Sequence, residues 1–431
     1  VQPFKKGPDY IDPLWLGLAA GRPCYNLDPY LSGAAEIRTE LAQRMRGASL
    51  GLVEGNKGLY DGLDLDGSNS NAALAAMIGA PVVLVIDARG MTRGIAPLIL
   101  GYQAFDKNVR IAGVILNQLG GARHEAKLRA VIAHYTGVPV LGAVQHNERM
   151  TIVERHLGLV PSNEAQAARA CVDEIAVLVA AQVDLDRLLT IAAEAPALPA
   201  DPAVLDSAPE RPVGTRVRVG IARDAAFGFY YPGDLEALRD AGAELVPFDA
   251  LRDQRLPAVD GLFIGGGFPE TQLDALAANA ALRAEVRDAI DAGLPAYAEC
   301  GGLMYLARGI ERRGRRAEMA GVLPADIVMH ARPVGRGYVH LRATGRGLWP
   351  RPEAGEAPLI RAHEFHYSSV ENLPPGVVFA YDVVRGHGIE GQHDGIVHKN
   401  LLASYAHLRD VAGNRWARRF VNFVRGCRHA A

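Results

Sequence analysis

Residues 296–305 read Ala-Tyr-Ala-Glu-Cys-Gly-Gly-Leu-Met-Tyr, a pattern that predicts a short buried strand, a sharp turn at Cys300 and a helix. A thiol at such a turn lies near a helix N-terminus, whose dipole lowers a thiol pKa and whose backbone N–H groups can bind an oxyanion. The two glycines allow the turn and a close approach to a substrate. Because most free cysteines are buried and inert, this stretch alone leaves a reactive and a structural thiol open.

Composition limits the class of protein. A chain of 431 residues can form two to three domains, and its 46 basic and 48 acidic residues nearly balance, so no global charge favours nucleic acid. The four cysteines are scattered without metal-ligand spacing, which fits a reducing cytoplasm. The longest apolar run, near residues 72–86, is interrupted by Gly79 and Pro81 and is too short to span a bilayer. We therefore expect a cytoplasmic protein that binds neither nucleic acid nor a membrane.

Residues 1–195 alternate apolar runs with helical stretches. Strands are predicted at 50–54, 81–87, 110–117 and 139–144, and a long helical pattern at 163–195 closes the region. Continuous Val/Ile/Leu runs indicate parallel strands buried on both faces, so the region predicts a doubly wound α/β domain. Residues 196–214 carry five prolines and predict a linker.

The same alternation restarts after the linker, so residues 215–431 predict a second α/β domain. It has strands at 216–222, 244–248 and 261–264, a helical stretch at 272–292, and then the Cys300 turn. Short strands with Gly/Pro turns from 324 to 406 predict a β-rich flank, and the last helix is predicted at 414–424.

Two further features of the second domain suit a thiol nucleophile. Three glycines at 265–267 follow a strand, where free backbone N–H groups can hold an anion, although a lone glycine triplet is more often a tight turn. A thiol also needs a base, and His407 ends the last apolar strand, where a sheet delivers side chains to a crevice. His366 is the second candidate.

The first domain opens with phosphate-type and metal-type side chains. Lys5 and Lys6 suit phosphate or carboxylate groups and the acids that follow suit Mg²⁺, although a solvated loop is the alternative. Glu54 ends a strand, where P-loop-type enzymes place a Mg²⁺ carboxylate. Asn117 ends another strand and suits an adenine edge, although one Asn is weak support. No G-x-x-x-x-G-K-[ST] loop occurs in the 431 residues.

The second domain resembles a class I glutamine amidotransferase of the cobyric and cobyrinic acid amide synthase branch. The matching segments are Phe227-Gly228-Phe229-Tyr230-Tyr231, Gly265-Gly266-Gly267-Phe268-Pro269-Glu270, Glu299-Cys300-Gly301-Gly302, Glu364-Phe365-His366-Tyr367 and Ser404-Tyr405-Ala406-His407. The resemblance implies that Cys300 attacks glutamine, that His407 moves its proton, and that the oxyanion and glutamine are bound by Gly266, Gly267 and Gly301. Ordinary class I members carry a Glu two residues after the His, where this chain has Arg409, so the residue that orients His407 is left open.

Residues 1–195 resemble the synthetase half of the cobyrinic acid a,c-diamide synthase family, a relative of dethiobiotin synthetase. In that family a P-loop strand and helix precede the Lys-Lys-Gly-Pro-Asp-Tyr segment, so we expect such a segment to be missing ahead of Val1. The resemblance implies phosphate or ATP contacts at Lys5, Lys6 and Asn117, Mg²⁺ contacts at Asp9 and Glu54, and substrate contacts at Tyr10 and Asp61.

The implied activity is amidation of the a and c carboxylates of cobyrinic or hydrogenobyrinic acid in cobalamin biosynthesis, with ATP, Mg²⁺ and L-glutamine. An acyl phosphate is attacked by glutamine-derived ammonia. Many members read Val-Met where this chain has Asn56-Lys57, which leaves another tetrapyrrole such as sirohaem as an alternative substrate. A non-catalytic binding or regulatory homologue is a second alternative, and a homodimer is left open.

The five arginines of residues 308–316 favour a solvated loop over a nucleic-acid patch, because no aromatic residues interleave them.

Overall fold

A computed structural model describes residues 1–155, 158–163, 167–197, 214–349 and 359–430 of the chain. The chain divides into two compact units, residues 1–206 and 207–431. The predicted linker lies outside the described residues except at 196, 197 and 214. Within the described part of the chain, no helix is both long enough and apolar enough to cross a membrane.

The first unit contains two three-stranded parallel sheets. One has the order β2-β1-β3, from β1 (Gln2–Lys6), β2 (Tyr25–Leu27) and β3 (Gly51–Glu54). The other has the order β4-β5-β6, from β4 (Val82–Asp87), β5 (Ile111–Leu119) and β6 (Val140–Gln145). A short hairpin follows, from β7 (Glu154–Arg155) and β8 (Gly158–Leu159). The helices are α1 (Ile11–Ala20), α2 (Ala34–Arg44), α3 (Asn71–Ile78), α4 (Ile95–Phe105), α5 (Ala122–Tyr135), α6 (Ala168–Ala180) and α7 (Leu185–Ala193).

Burial differs between these strands. Strands β5 and β6 are largely buried, as their continuous apolar runs predict. Strand β1, which is not an apolar run, is also buried throughout. The prediction is wrong for β3 and for much of β4, where Leu52 and Val85 are 56% and 65% exposed. Both are edge strands, but the opposite edge strands β2 and β6 are buried, so edge position alone does not explain the exposure of β3 and β4.

The helical pattern predicted at 163–195 is two helices rather than one. Val183 leaves the helical path to form an isolated β-bridge with Gly142 of β6. Asp184 then starts α7 as an N-cap, because its carboxylate accepts a 2.9 Å hydrogen bond from the Arg187 amide. A contact with the sheet therefore interrupts a segment whose composition is helical throughout.

The second unit is built on a nine-stranded sheet with the order β11-β9-β12-β14-β23-β22-β21-β18-β19. Its strands are β9 (Val217–Ala222), β11 (Ala243–Phe248), β12 (Gly261–Ile264), β14 (Ala296–Glu299), β18 (Gly335–Ala343), β19 (Ile360–His366), β21 (Val378–Arg385), β22 (His393–His398) and β23 (Leu401–Ser404). The first five in that order pair in parallel and the rest antiparallel, so the predicted β-rich flank extends the α/β sheet.

Two smaller sheets complete the second unit. One pairs β10 (Phe227–Phe229) with β13 (Gly266–Gly267), and the other has the order β16-β15-β17-β20, from β15 (Gly309–Arg312), β16 (Arg315–Glu318), β17 (Asp326–Met329) and β20 (Ser368–Glu371). The helices are α8 (Pro232–Asp240), α9 (Leu273–Ala278), α10 (Ala280–Asp291), α11 (Gly301–Leu306) and α12 (Trp416–Ala430). The helix predicted at 272–292 is interrupted at Asn279, whose side-chain amide donates hydrogen bonds to the backbone carbonyls of Ala250 and Asp253.

An aromatic core supports the strands that carry the Cys300 turn. Tyr297 of β14 stacks on Phe263 of β12 at 5.3 Å, and it contacts the rings of Trp349 and Trp416 at 4.9 and 5.0 Å. All four side chains are at least 95% buried. This packing holds β12 and β14 firmly at the point where both strands end at the candidate site.

Candidate active site

Cys300 occupies a strained turn between β14 and α11. Its backbone has φ 46° and ψ −99°, a conformation that costs a non-glycine residue about 1–3 kcal/mol and is found mainly at functional sites. The Cys300 amide donates a 2.8 Å hydrogen bond to the Ser404 carbonyl. A Cβ atom at Gly302 would lie 2.1 Å from the Ile264 carbonyl oxygen, so the turn requires glycine there.

Cys300 is buried, with 7% of the residue exposed. Burial raises the pKa of Cys300 far above its usual value, nearby Glu270 and Glu299 add to that rise, and the Gly301 amide opposes it. The expectation that the helix end lowers this pKa is therefore wrong for the free thiol, because burial outweighs the short helix. A thiol held protonated at neutral pH needs a base before it can attack.

The two glycine-rich strand ends meet, as the sequence predicts. A Cβ atom at Gly301 would lie 3.0 Å from the Gly267 amide nitrogen, so the two backbones are side by side. A Cβ atom at Gly266 would lie 2.7 Å from Cε1 of His407, and one at Gly267 would lie 2.0 Å from the Ala226 carbonyl oxygen. The structure thus brings the predicted glycines of β13 and α11 together beside the His407 ring.

His407 is buried with a defined ring orientation. Its ring stacks on His363 at 4.9 Å with an interplanar angle of 17°, and its amide donates a 2.8 Å hydrogen bond to the His363 carbonyl. Nδ1 of His407 lies 3.5 Å from a carboxylate oxygen of Glu299, and each side chain is 4% exposed. His366, the second candidate base, has partners elsewhere, because its ring stacks on Tyr405 and its Nδ1 bonds the Ser368 carbonyl.

A buried carboxylate that the sequence analysis missed holds the segment before His407. Asp394 accepts hydrogen bonds of 2.8 to 3.0 Å from the Ser404 hydroxyl and from the amides of Tyr405 and Ala406. It is fully buried, and burial raises its pKa although these bonds oppose the rise. Its only signal in the sequence is an acid inside an apolar strand, which does not identify its partners.

Arg409 occupies the position of the ordinary class I glutamate. Its guanidinium lies 3.9 Å from the centre of the Tyr231 ring, and its Nε lies 4.0 Å from the buried Asp234. This cation therefore packs against α8 and the residue that precedes it.

The first unit gathers the predicted lysine and acids around one ammonium group. Nζ of Lys5 lies 2.6 Å from Asp12, 3.1 Å from Glu54 and 3.8 Å from Asp9, and its side chain is 3% exposed. Burial lowers the pKa of Lys5, but the acids, Glu54 first, outweigh burial and raise it overall. Burial and the neighbouring Asp12 raise the pKa of Asp9 to about 7. Asp12 belongs to this cluster but is absent from the predicted site.

The donor set of this cluster fits Mg²⁺ only together with a phosphate ligand. Among the described residues, no group of three or more His, Cys, Asp or Glu side chains is arranged to hold a metal. Mg²⁺ is usually bound by one or two carboxylates together with substrate phosphates and waters, and Asp9 and Glu54 are carboxylates of that type.

The other predicted site residues of this unit are spread more widely than the cluster around Lys5. Lys6 is buried, which lowers its pKa, and its Nζ donates to the Asn56 side chain at 3.2 Å. Tyr10 is buried at the start of α1. Asp61 is exposed and accepts a hydrogen bond from the Gly58 amide of its own loop. Asn117 lies on β5 of the other sheet, where its side chain accepts from the Gln118 amide.

Comparisons with known proteins agree with both units. Residues 218–413 match a CobB/CobQ-like glutamine amidotransferase domain, and residues 34–153 match an AAA domain. A protein of Magnetococcus marinus is 48% identical over 427 residues, which cover 99% of this chain and 91% of that protein. Proteins of Syntrophotalea carbinolica and Archaeoglobus fulgidus are each 41% identical, over 99% and 98% of this chain and 92% and 90% of their own lengths. All three are named cobyrinate a,c-diamide synthase. The predicted fold class, with a P-loop-type unit before an amidotransferase unit, is confirmed.

Proposed function

This chain belongs to the cobyrinate a,c-diamide synthase family, and on that premise we propose that it amidates the a and c carboxylates of cobyrinic or hydrogenobyrinic acid. ATP and glutamine are the co-substrates. The observation that carries the proposal is the strained Cys300 turn, in which Gly301 lies against Gly267 while the adjacent Gly266 lies against the buried His407. That arrangement supplies a nucleophile, a base and backbone amides at one place.

In the second unit the proposed reaction is glutamine hydrolysis. His407 accepts the thiol proton, and the Cys300 sulfur forms a bond to the carboxamide carbon of glutamine. We assign the stabilisation of the resulting oxyanion to the backbone amides of Gly267 and Gly301, because the two backbones lie side by side at this turn. His407 returns the proton to the leaving nitrogen as the C–N bond breaks, so ammonia departs and a thioester remains. Water then cleaves the thioester to glutamate and the free thiol.

In the first unit the proposed reaction activates a carboxylate of the macrocycle. Its oxygen attacks the γ-phosphorus of ATP, and ADP departs to leave an acyl phosphate. Ammonia then attacks the acyl carbon, so the bond to phosphate breaks and a carboxamide and free phosphate result. Mg²⁺, held with Asp9 and Glu54, would neutralise phosphate charge in this step. Lys5 holds both carboxylates in place and, as a buried cation, favours phosphate oxygens beside it.

Sirohaem is the alternative substrate, because Asn56 and Lys57 lie beside a proposed phosphate- or substrate-binding lysine. Asn56 bonds the Lys6 ammonium and the Lys6 carbonyl, so a change at this loop reaches Lys6 directly. The backbone amide of Asn56 also donates a hydrogen bond to the Asn71 side chain. The polar pair Asn56-Lys57 replaces the apolar Val-Met of many family members, and this difference bears on which macrocycle the protein binds.

We further propose that the protein acts in the cytoplasm without binding nucleic acid or a membrane. All four cysteines are free thiols, which suits a reducing compartment. Three of the five arginines of the 308–316 segment are paired within the unit, since Arg308 and Arg316 pair with Asp326 and Arg315 pairs with Asp274. Arginines that already pair with carboxylates are poorly placed to bind nucleic-acid phosphates. A homodimer is the oligomeric state to test.

The experiment offers the full-length protein cobyrinic acid, hydrogenobyrinic acid and sirohaem, each with ATP, Mg²⁺ and glutamine, and follows the products by mass spectrometry. We expect glutamine- and ATP-dependent diamide from a cobyrinic-type acid. Preferred amidation of sirohaem would favour the alternative substrate. A protein that forms no amide and hydrolyses no glutamine would be a non-catalytic homologue, which would overturn the proposal.

A further inference from the structure

We propose that Glu299 positions His407 for catalysis, in place of the glutamate that ordinary class I amidotransferases carry two residues after the histidine. The inference rests on the proposed glutamine hydrolysis at Cys300. It assigns Glu299 a role as a positioning residue, because the carboxylate acts on the substrate only through the imidazole.

Strand pairing explains how the two side chains meet. Strands β14 and β23 are parallel neighbours, with Glu299 in register with Ser404. Glu299 directly precedes the nucleophile, and His407 follows Ser404 by three residues. Because the carboxyl ends of parallel strands lie at one sheet edge, both side chains reach the same crevice.

Hydrogen bonds to one oxygen fix the Glu299 carboxylate, and its other oxygen faces the histidine. One oxygen, Oε1, accepts a 2.5 Å hydrogen bond from the Tyr297 hydroxyl and a 2.9 Å bond from the Leu408 amide. The other oxygen, Oε2, is the one that lies 3.5 Å from Nδ1 of His407. Since Oε1 is anchored twice and both side chains are 4% exposed, Oε2 is held towards the ring.

This arrangement selects one form of the imidazole. A proton on Nδ1 faces the carboxylate, so Nε2 carries the lone pair and can accept the thiol proton. After the transfer, the imidazolium lies beside a buried negative charge, which stabilises it where water cannot. A distance of 3.5 Å is ion-pair range, and such contacts tighten when substrate binds.

Other carboxylates near the segment have different partners. Asp394 accepts from the backbone of residues 404–406, and Glu364 accepts from the amides of His387 and Gly388. Asp234 accepts from the Asp410 amide and lies beside Arg409. Each of these acids holds backbone or a cation, whereas Glu299 presents an oxygen to the catalytic ring.

The first test is Glu299→Gln in the full-length protein. The amide keeps the size of the side chain, and its oxygen can still accept from Tyr297 and Leu408, but its NH₂ group then faces Nδ1. That arrangement favours the opposite tautomer, in which Nε2 carries the proton and cannot act as the base. We expect the kcat of glutamine hydrolysis to fall about 100-fold with KM within about twofold, while amidation from added ammonium is retained.

The second readout is the pH dependence of Cys300 alkylation by iodoacetamide, followed on the modified peptide. Neutralising Glu299 removes a negative charge that raises the pKa of the Cys300 thiol, so the thiol loses its proton at lower pH. We expect the alkylation profile of Glu299→Gln to move to lower pH. The charged and titratable groups that face this site and stay unchanged are Glu270, His363, Asp394 and Arg409.

Two further variants separate positioning from folding. Asp234→Asn removes another buried carboxylate, which accepts from the same 408–416 segment, and we expect it to leave the alkylation profile in place. Tyr297→Phe removes one anchor of Oε1 and should give a loss of kcat smaller than that of Glu299→Gln. Parent-like kcat and an unshifted profile in Glu299→Gln, or equal shifts in Asp234→Asn, would overturn the inference. A parent protein that hydrolyses no glutamine would instead refute the proposed function, while alkylation would still report on Glu299.

Discussion

The amide of Cys300 donates a 2.8 Å hydrogen bond to the carbonyl of Ser404, which ties the nucleophile turn to the segment that carries His407. The two residues are 104 positions apart in the sequence, but Cys300 directly follows β14 and Ser404 ends its parallel neighbour β23. The nucleophile and its base therefore share one rigid support, and changes that loosen either strand end should impair glutamine hydrolysis before they unfold the unit.

Asp394→Asn tests the support under His407. The substitution replaces one of the two accepting oxygens with an NH₂ group, so either the bonds from Ser404 and Ala406 at Oδ2 or the bond from Tyr405 at Oδ1 is lost. We expect a loss of about 1–3 kcal/mol in the free energy of unfolding and about a tenfold lower kcat for glutamine hydrolysis. Asp382→Asn, at a half-exposed carboxylate, is the control, and similar losses in both variants would refute a specific role for Asp394.

Gly302→Ala tests the close approach of the Cys300 turn to β12. The added methyl group would meet the Ile264 carbonyl oxygen at 2.1 Å, so backbone must move. We expect at least about 2 kcal/mol lower stability and a large loss of glutamine hydrolysis, measured by denaturant unfolding and glutamate release. Gly413→Ala is the matched control, because nothing lies within 4 Å of its Cβ position. Normal activity in Gly302→Ala would show that the turn is less confined than described.

Lys5→Met should separate the two activities. It leaves Asp9, Asp12 and Glu54 without their shared cation, which is strongly destabilising for partly buried carboxylates, about 3 kcal/mol or more. We expect ammonium-dependent amidation to be lost while glutamine hydrolysis in the other unit is retained. Lys127→Met, at an exposed position of α5, is the control. Amidation at the parent rate in Lys5→Met would remove Lys5 from the proposed phosphate site.

The buried Asp234 predicts a pH-dependent term in stability. Burial raises its pKa to about 7, so between about pH 4 and pH 7 the folded state binds a proton that the unfolded state lacks. Stability therefore falls as pH rises through this range, by a few kcal/mol at most. Denaturant unfolding of the parent and Asp234→Asn, followed by tryptophan fluorescence, to which the adjacent Trp416 contributes, should show a flatter pH dependence of stability in the variant. A steeper dependence in the variant would contradict the raised pKa.

Much of the fold could be predicted from local patterns, because continuous apolar runs and proline-rich breaks report strands and linkers directly. The positions where those predictions are wrong depend on tertiary contacts. Asn279 interrupts a helix by bonding two distant carbonyls, and Val183 interrupts another by bridging to β6. Leu52 and Val85 are apolar but exposed, because burial depends on which elements cover a strand and not on its own residues.

The candidate site likewise combines residues that local patterns identify with contacts that depend on tertiary structure. Cys300, the glycines and His407 belong to short motifs that the sequence displays. Glu299 stands inside one of those motifs, but its contact with His407 depends on the pairing of β14 with β23, which no local pattern reveals. The rise in the pKa of Cys300 was missed for a similar reason, because it is set by burial rather than by the nearby helix end.

The most direct test of the account is the source of the product nitrogen. With [¹⁵N]amide-labelled glutamine, ATP, Mg²⁺ and a cobyrinic-type acid, the full-length parent should transfer label to both new carboxamides. Cys300→Ser should transfer none, yet form the same diamide when unlabelled ammonium is added. Transfer of label by Cys300→Ser at the parent rate would contradict the assignment of Cys300 as the nucleophile.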